Sequence, residues 1–121
     1  MTTNPVFCAI DAPARDEAKR LIDLVAGAVG GIKLGLEFFM AEGPAGIREV
    51  RPTGVPLFLD IKLHDIPNTV AGAIRSVVPL SPAYITLHAS GGRAMMQAAA
   101  EAAATEAEKR GVPRPKLLGV T

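Results

Sequence analysis

"FLDIKLHDIPNTV", residues 58–70, places Asp60, Lys62 and Asp65 in a run whose other members up to Leu63 are mostly apolar. Phe58, Leu59, Ile61 and Leu63 have the composition of a buried strand. The run is bounded upstream by the turn signal Pro52-Thr53-Gly54 and downstream by Pro67. On an extended strand, side chains two apart share a face, so Asp60 and Lys62 point one way while Ile61 and Leu63 point the other. Asp65 follows three residues after Lys62, in the connection to a helix opening at Pro67, where it is able to turn back or reach elsewhere.

Outward from this strand the chain alternates short apolar runs with helical segments. Residues 5–11 (PVFCAID) read as a strand ending in an aspartate, followed by a helix from Pro13 to about Ala28. In that helix Ala18, Leu21, Ile22 and Val25 recur at helical spacing. Gly30-Gly31 precede a second strand at 32–35, and residues 38–50 form a helical stretch broken at Gly43-Pro44. The third strand covers 57–63 and its helix 66–78. Pro82 precedes a fourth strand at 84–88, and the Ala-rich segment 93–110 has the strongest helix composition in the chain. Gly111, Pro113 and Pro115 end that helix before a fifth strand, 116–121.

Strand–helix alternation of this kind predicts an α/β fold of parallel βαβ units with right-handed crossovers. Polar or ionisable residues stand near the C-terminal end of nearly every strand: Asp11, Lys33, Asp60 with Lys62, and His88. A (β/α)8 TIM barrel assembles its active site at that end from several strands. A doubly wound sheet more typically carries a glycine-rich phosphate loop after its first strand, and "IDAPARDEA" has no such pattern. A full barrel takes about 250 residues, so the expectation is an N-terminal portion of about four and a half βα units. Residues 1–121 then form the N-terminal portion of a single TIM-barrel domain with no internal boundary. The strand-like ending "LLGVT" would otherwise leave an unpaired apolar edge.

Composition narrows the function classes. The chain is 49% hydrophobic and 21% charged, with a formal net charge of +1, which is ordinary globular composition. Near-neutral charge provides no electrostatic footprint for nucleic acid or an anionic membrane. The single cysteine, Cys8, has no intrachain partner, which predicts a reducing compartment. No apolar run approaches a membrane span and no basic-then-apolar leader opens the chain, so the expectation is a soluble, cytoplasmic protein. Cys8 is expected to be buried, without thiolate activation.

An isolated Asp–Lys pair at a strand end is usually solvated and of little consequence. Two or three carboxylates gathered with two lysines in a low-dielectric pocket are costly, and stability alone seldom selects them. Interleaved ammonium groups keep neighbouring carboxylates ionised, and they leave an ammonium placed to deliver a proton. The residues therefore favour a catalytic site, with the structural ion pair as the alternative.

"VFCAID", "GGIKLGLEFF", "LFLDIKLHDIPNTV", "YITLHASGG" and "LLGVT" resemble, in order, the first five strand regions of the orotidine 5′-phosphate decarboxylase family. The D-x-K-x-x-D-I-P-N-T segment carries most of that specificity. The resemblance implies a TIM barrel working as a homodimer, converting orotidine monophosphate to UMP and CO2 without metal or organic cofactor. It implies that Asp11 contacts the ribose, that Lys33 bridges ribose and Asp60, and that Asp60 faces the substrate carboxylate. Lys62 becomes the proton donor to C6. Asp65, Ile66 and Thr69 would enter the partner subunit's site, and Thr121 would border the substrate.

Hexulose-phosphate synthase and keto-gulonate-phosphate decarboxylase have a similar D-x-K-x-x-D segment but use magnesium. They typically place an acidic residue where Lys33 stands and lack the I-P-N-T continuation, and a cation at Lys33 would repel a divalent ion. His88 lines the mouth or serves as a structural hydrogen-bonding residue, and His64 is structural or near the interface. Gly91-Gly92 either approach a ligand or form a plain turn, and Met95 and Met96 are helix or core residues. The family's phosphate-binding strands and loops have no counterpart in these residues. The isolated chain is accordingly expected to show little or no turnover, and a non-catalytic half-barrel fragment is the second reading.

Overall fold

The computed structural model describes residues 4–121. The order is β1 (Phe7–Ala9), α1 (Arg15–Val25), β2 (Gly31–Gly35), α2 (Leu36–Val50), β3 (Leu57–Leu63), α3 (Pro67–Val77), β4 (Tyr84–His88), α4 (Arg93–Arg110) and β5 (Lys116–Val120). The sheet order is β1-β2-β3-β4-β5, identical to the chain order. Pairing is parallel for β1–β2, β2–β3 and β4–β5. Sequential order lacks the reversal that defines a doubly wound sheet. This is the α/β alternation expected from the sequence.

By contact the chain divides into two compact units, Met1–Asp60 and Ile61–Thr121. In the first, Ile22 of α1, Ile32 and Leu34 of β2, Ile47 and Val50 of α2 and Leu57 and Leu59 of β3 are buried almost completely. Each such side chain contributes about 1.5–3 kcal/mol of transfer free energy. The expected strand at 5–11 is shorter: Phe7–Ala9 alone pair as strand, although Ile10 N–H still donates to Lys33 O at 2.9 Å. Asp11 therefore lies just past the strand rather than within it. The first helix is also shorter than expected. Ala14 is extended (φ −124°, ψ 151°), which leaves Pro13 outside, and residues 26–30, with Gly27 and Gly30 among them, turn the chain after Val25. Cys8 is half-buried rather than buried, because β1 is the first strand of the sheet order.

α2 begins two residues earlier than the expected 38 and breaks where the sequence predicts. Gly43 (φ 63°, ψ −167°) occupies a region open to glycine alone, and Pro44 starts the second half without needing an N–H. Arg15 of α1 spans the break. Its Nε donates to Glu42 and its Nη1 to Glu49, both at 2.5 Å.

In the second unit α3 packs on α4. Val70, Ala71, Ile74 and Val77 of α3 and Met95, Ala99, Ala102 and Ala103 of α4 are buried, and the small residues permit close approach of the helices. α4 ends where Gly111 adopts φ 66°, ψ 31°, with Val112 N–H bonded to Ala107 O at 3.1 Å. Met95 is a core residue, as expected. No helix among the described residues is long and apolar enough to cross a membrane.

Candidate active site

Within the first unit, parallel pairing sets the polar groups. The register aligns Ala9 with Lys33, Lys33 with Phe58, and Gly35 with Asp60. On β2, Ile32 and Leu34 are wholly buried while Lys33, between them, projects from the other face and is partly open. Lys33 Nζ approaches Asp60 Oδ2 to 3.7 Å, with the Asp60 side chain only 14% exposed. Phe7 and Phe58 meet edge to face, ring centroids 6.2 Å apart. Lys33 and Asp60 thus form one acid–lysine contact. The contact is an ion pair longer than a hydrogen bond, so the ammonium retains geometry for a further acceptor.

Beside the end of β1, Asp11 and Glu37 border a cavity of about 170 Å³ with Ile10, Gly35 and Phe38. Ligand pockets usually measure about 300–1,000 Å³, so this recess accommodates part of a ligand, not a whole nucleotide. Lys33 and Asp60 are not among its lining residues. Glu37 escaped the sequence reading, because one exposed carboxylate in the first turn of a helix resembles ordinary surface.

Strand β3 keeps strict alternation up to Ile61. Leu57, Leu59 and Ile61 are buried, and Phe58 and Asp60 occupy the more open face. At Lys62 the backbone leaves the extended region (φ 46°) and the side chain is exposed. Left-handed backbone costs a non-glycine residue about 1–2 kcal/mol, and such strain concentrates at functional positions.

In the second unit, Lys62 N–H donates to Thr86 Oγ1 of β4 at 3.0 Å, and Thr86 is 4% exposed. The His64 and His88 rings lie 5.3 Å apart, tilted by 46°. That contact gives His88 a packing partner at the C-terminal end of β4. Asp65 Oδ1 accepts from Ile66 N–H at 2.7 Å, fixing the entry to α3. Ile66 is 65% exposed, a large apolar side chain mostly open to solvent, and Thr69 is exposed in the first turn of α3. Thr121 is exposed one residue beyond β5. Lys62, Asp65, Ile66 and Thr69 therefore follow one another from the end of β3 into the first turn of α3. Sequence reading missed Thr86, whose only signal is a hydroxyl at an alternating position of the apolar strand "YITLH".

The family model described as "Orotidine 5'-phosphate decarboxylase / HUMPS family" matches residues 4–121. An orotidine 5'-phosphate decarboxylase of Rhodospirillum rubrum is 57% identical over 122 residues, spanning 100% of this chain and 49% of its own length. One from Paramagnetospirillum magneticum is 53% identical, spanning 98% of this chain and 50% of its own. Among solved structures, orotidine 5'-phosphate decarboxylase from Lactobacillus acidophilus superposes with a TM-score of 0.86 at 32% identity, covering 98% of this chain and 53% of that one. An uncharacterized conserved protein from Geobacillus kaustophilus gives 0.86 at 38% identity, covering 97% and 54%. The chain spans about half the length of the curated relatives it matches.

Proposed function

Because the chain belongs to the orotidine 5'-phosphate decarboxylase / HUMPS family, we propose that it carries the catalytic half of an orotidine 5′-phosphate decarboxylase, a carboxy-lyase of pyrimidine biosynthesis. The observation that carries this reading is local. Asp60 is held by Lys33 at 3.7 Å, and Lys62, two residues on in the same strand, stands in a left-handed backbone conformation. Losing CO2 from C6 of a pyrimidine leaves a lone pair in the ring plane, where the π-system cannot delocalise it. A fixed ammonium stabilises that charge electrostatically and then protonates the same carbon. Lys62 takes this role. Asp60 faces the departing carboxylate, Lys33 bridges Asp60 and the ribose, Asp11 binds the ribose hydroxyls, and Thr121 borders the substrate.

Asp65, Ile66 and Thr69 are assigned to the site of a second copy in a homodimer. Their exposure along one connection supports that assignment. The two compact units are taken as portions of one barrel domain, in a cytoplasmic enzyme that needs no metal or organic cofactor. A magnesium-dependent reaction of the hexulose-phosphate synthase type is disfavoured because Lys33 already brings a positive charge to Asp60.

A chimera tests the proposal: this chain replaces the matching half of the Rhodospirillum rubrum relative, and UMP formation is measured. The chimera is expected to turn over and the isolated chain to show little or none. In the chimera, Lys62→Ala should lower kcat by about 10³-fold or more, combining the general-acid and electrostatic contributions. An alanine variant within tenfold of its parent would sink the assignment.

A further inference from the structure

Thr86 poses a problem that packing alone does not explain. It lies between the buried Ile85 and Leu87 of β4 and is itself buried, where valine would fill the same space without a polar atom. A buried hydroxyl lowers stability unless it is hydrogen-bonded. Its oxygen accepts the N–H of Lys62 at 3.0 Å. Lys62 is one of two non-glycine residues with positive φ among the described residues. The other, Ser81, is a small polar residue capping a 3-10 turn, a place where such a conformation is ordinary. A long lysine in a strand has no such excuse. Its N–H is given to a side-chain oxygen, and a buried backbone donor left unpaired would cost about as much as a lost hydrogen bond.

We propose that Thr86 is a positioning residue. Its hydroxyl holds the Lys62 backbone in the left-handed conformation and thereby aims the ammonium at the reacting carbon. The inference rests on the reading of Lys62 as proton donor. Displacing a catalytic group by about 1 Å can cost a hundredfold in rate, so a single buried acceptor is enough to matter.

Two substitutions separate this role from packing. Thr86→Val keeps the shape and removes the acceptor, whereas Thr86→Ser keeps the acceptor and removes the methyl group. Hydrogen exchange of the Lys62 amide in the 121-residue chain reads the contact directly, with the Ile85 and Leu87 amides as internal references. Thr86→Val should speed Lys62 exchange by about tenfold or more relative to those references, and Thr86→Ser should leave it within about threefold. In the chimera, Thr86→Val should lower kcat by about tenfold to a hundredfold with KM within about threefold, and Thr86→Ser should restore it.

Equal acceleration of all three amides, or a serine variant behaving like the valine variant, would show a packing role and overturn the proposal. An accelerated Lys62 amide with unchanged kcat, while Lys62→Ala is inactive, overturns the positioning role and leaves the Lys62 assignment standing. An active Lys62→Ala chimera overturns both, whatever the amides show.

Discussion

Two poorly solvated carboxylates, Asp60 and Glu106, meet different cations in different ways. Glu106 Oε2 receives Arg110 Nε at 2.7 Å across one helical turn, and its side chain is 8% exposed. That hydrogen bond, first, and the charges of Lys109, Arg110 and Arg75 hold its carboxyl below the ordinary 4.5. Asp60 instead has Lys33 at 3.7 Å, a looser contact. The tight pair gives a pH prediction. A carboxyl depressed in the folded state stabilises it above the unfolded value, and that contribution is lost as pH falls through the folded value. Glu106→Gln should therefore lower the urea midpoint at pH 7, and the difference from the parent should shrink once the pH is below 4.5. A difference that is the same at pH 3 and pH 7 would assign the effect to packing. The two carboxylates were not equally visible beforehand. Asp60 stood out because it interrupts a strand, whereas Glu106 sits at a helical position where glutamate is commonplace.

At the scale of elements, helix α2 is decided by a backbone conformation rather than by its apolar face. Gly43 at φ 63° and ψ −167° turns the chain, and Arg15 from α1 ties Glu42 before the break to Glu49 after it. Gly43→Ala should destabilise the fold by roughly 1–3 kcal/mol, the usual cost of a side chain in this region. Equilibrium denaturation of the two chains measures it, and an unchanged midpoint would mean that the helix straightens without penalty. The break itself was legible as Gly43-Pro44. The ends of β1 and α1 were not, because Val6, Ile10 and Pro13 have strand and helix propensities that pairing and the extended backbone of Ala14 override. β3, β4 and α4 fall at the limits expected from the sequence, since each is bounded by proline or glycine on at least one side.

At the scale of the whole molecule, the proposed homodimer makes a quantitative statement about shared sites. If Lys62 acts in one site while Asp65 completes the other, a subunit lacking Lys62 and one lacking Asp65 rebuild one intact site when paired. Chimeras carrying Lys62→Ala and Asp65→Ala, each nearly inactive, should on mixing and re-equilibration recover about a quarter of the parent activity, since half the dimers are mixed and each has one good site. No recovery, with mixed dimers demonstrated by mass, would place Asp65 in its own subunit's site.

The sequence by itself determined the alternation of elements, the α/β class and the face shared by Asp60 and Lys62, because periodicity and turn residues are local properties. The D-x-K-x-x-D-I-P-N-T stretch likewise carried the family resemblance without any coordinates. Tertiary structure alone decided the strand order, the closeness of Lys33 to Asp60, the neighbouring rings of His64 and His88, and the hydrogen bond from Lys62 N–H to Thr86. Each of these joins residues more than twenty positions apart in the chain, and no local pattern specifies such a distance. The left-handed turn at Lys62 belongs with them, since a lysine adopts that conformation only where its surroundings supply what the backbone loses.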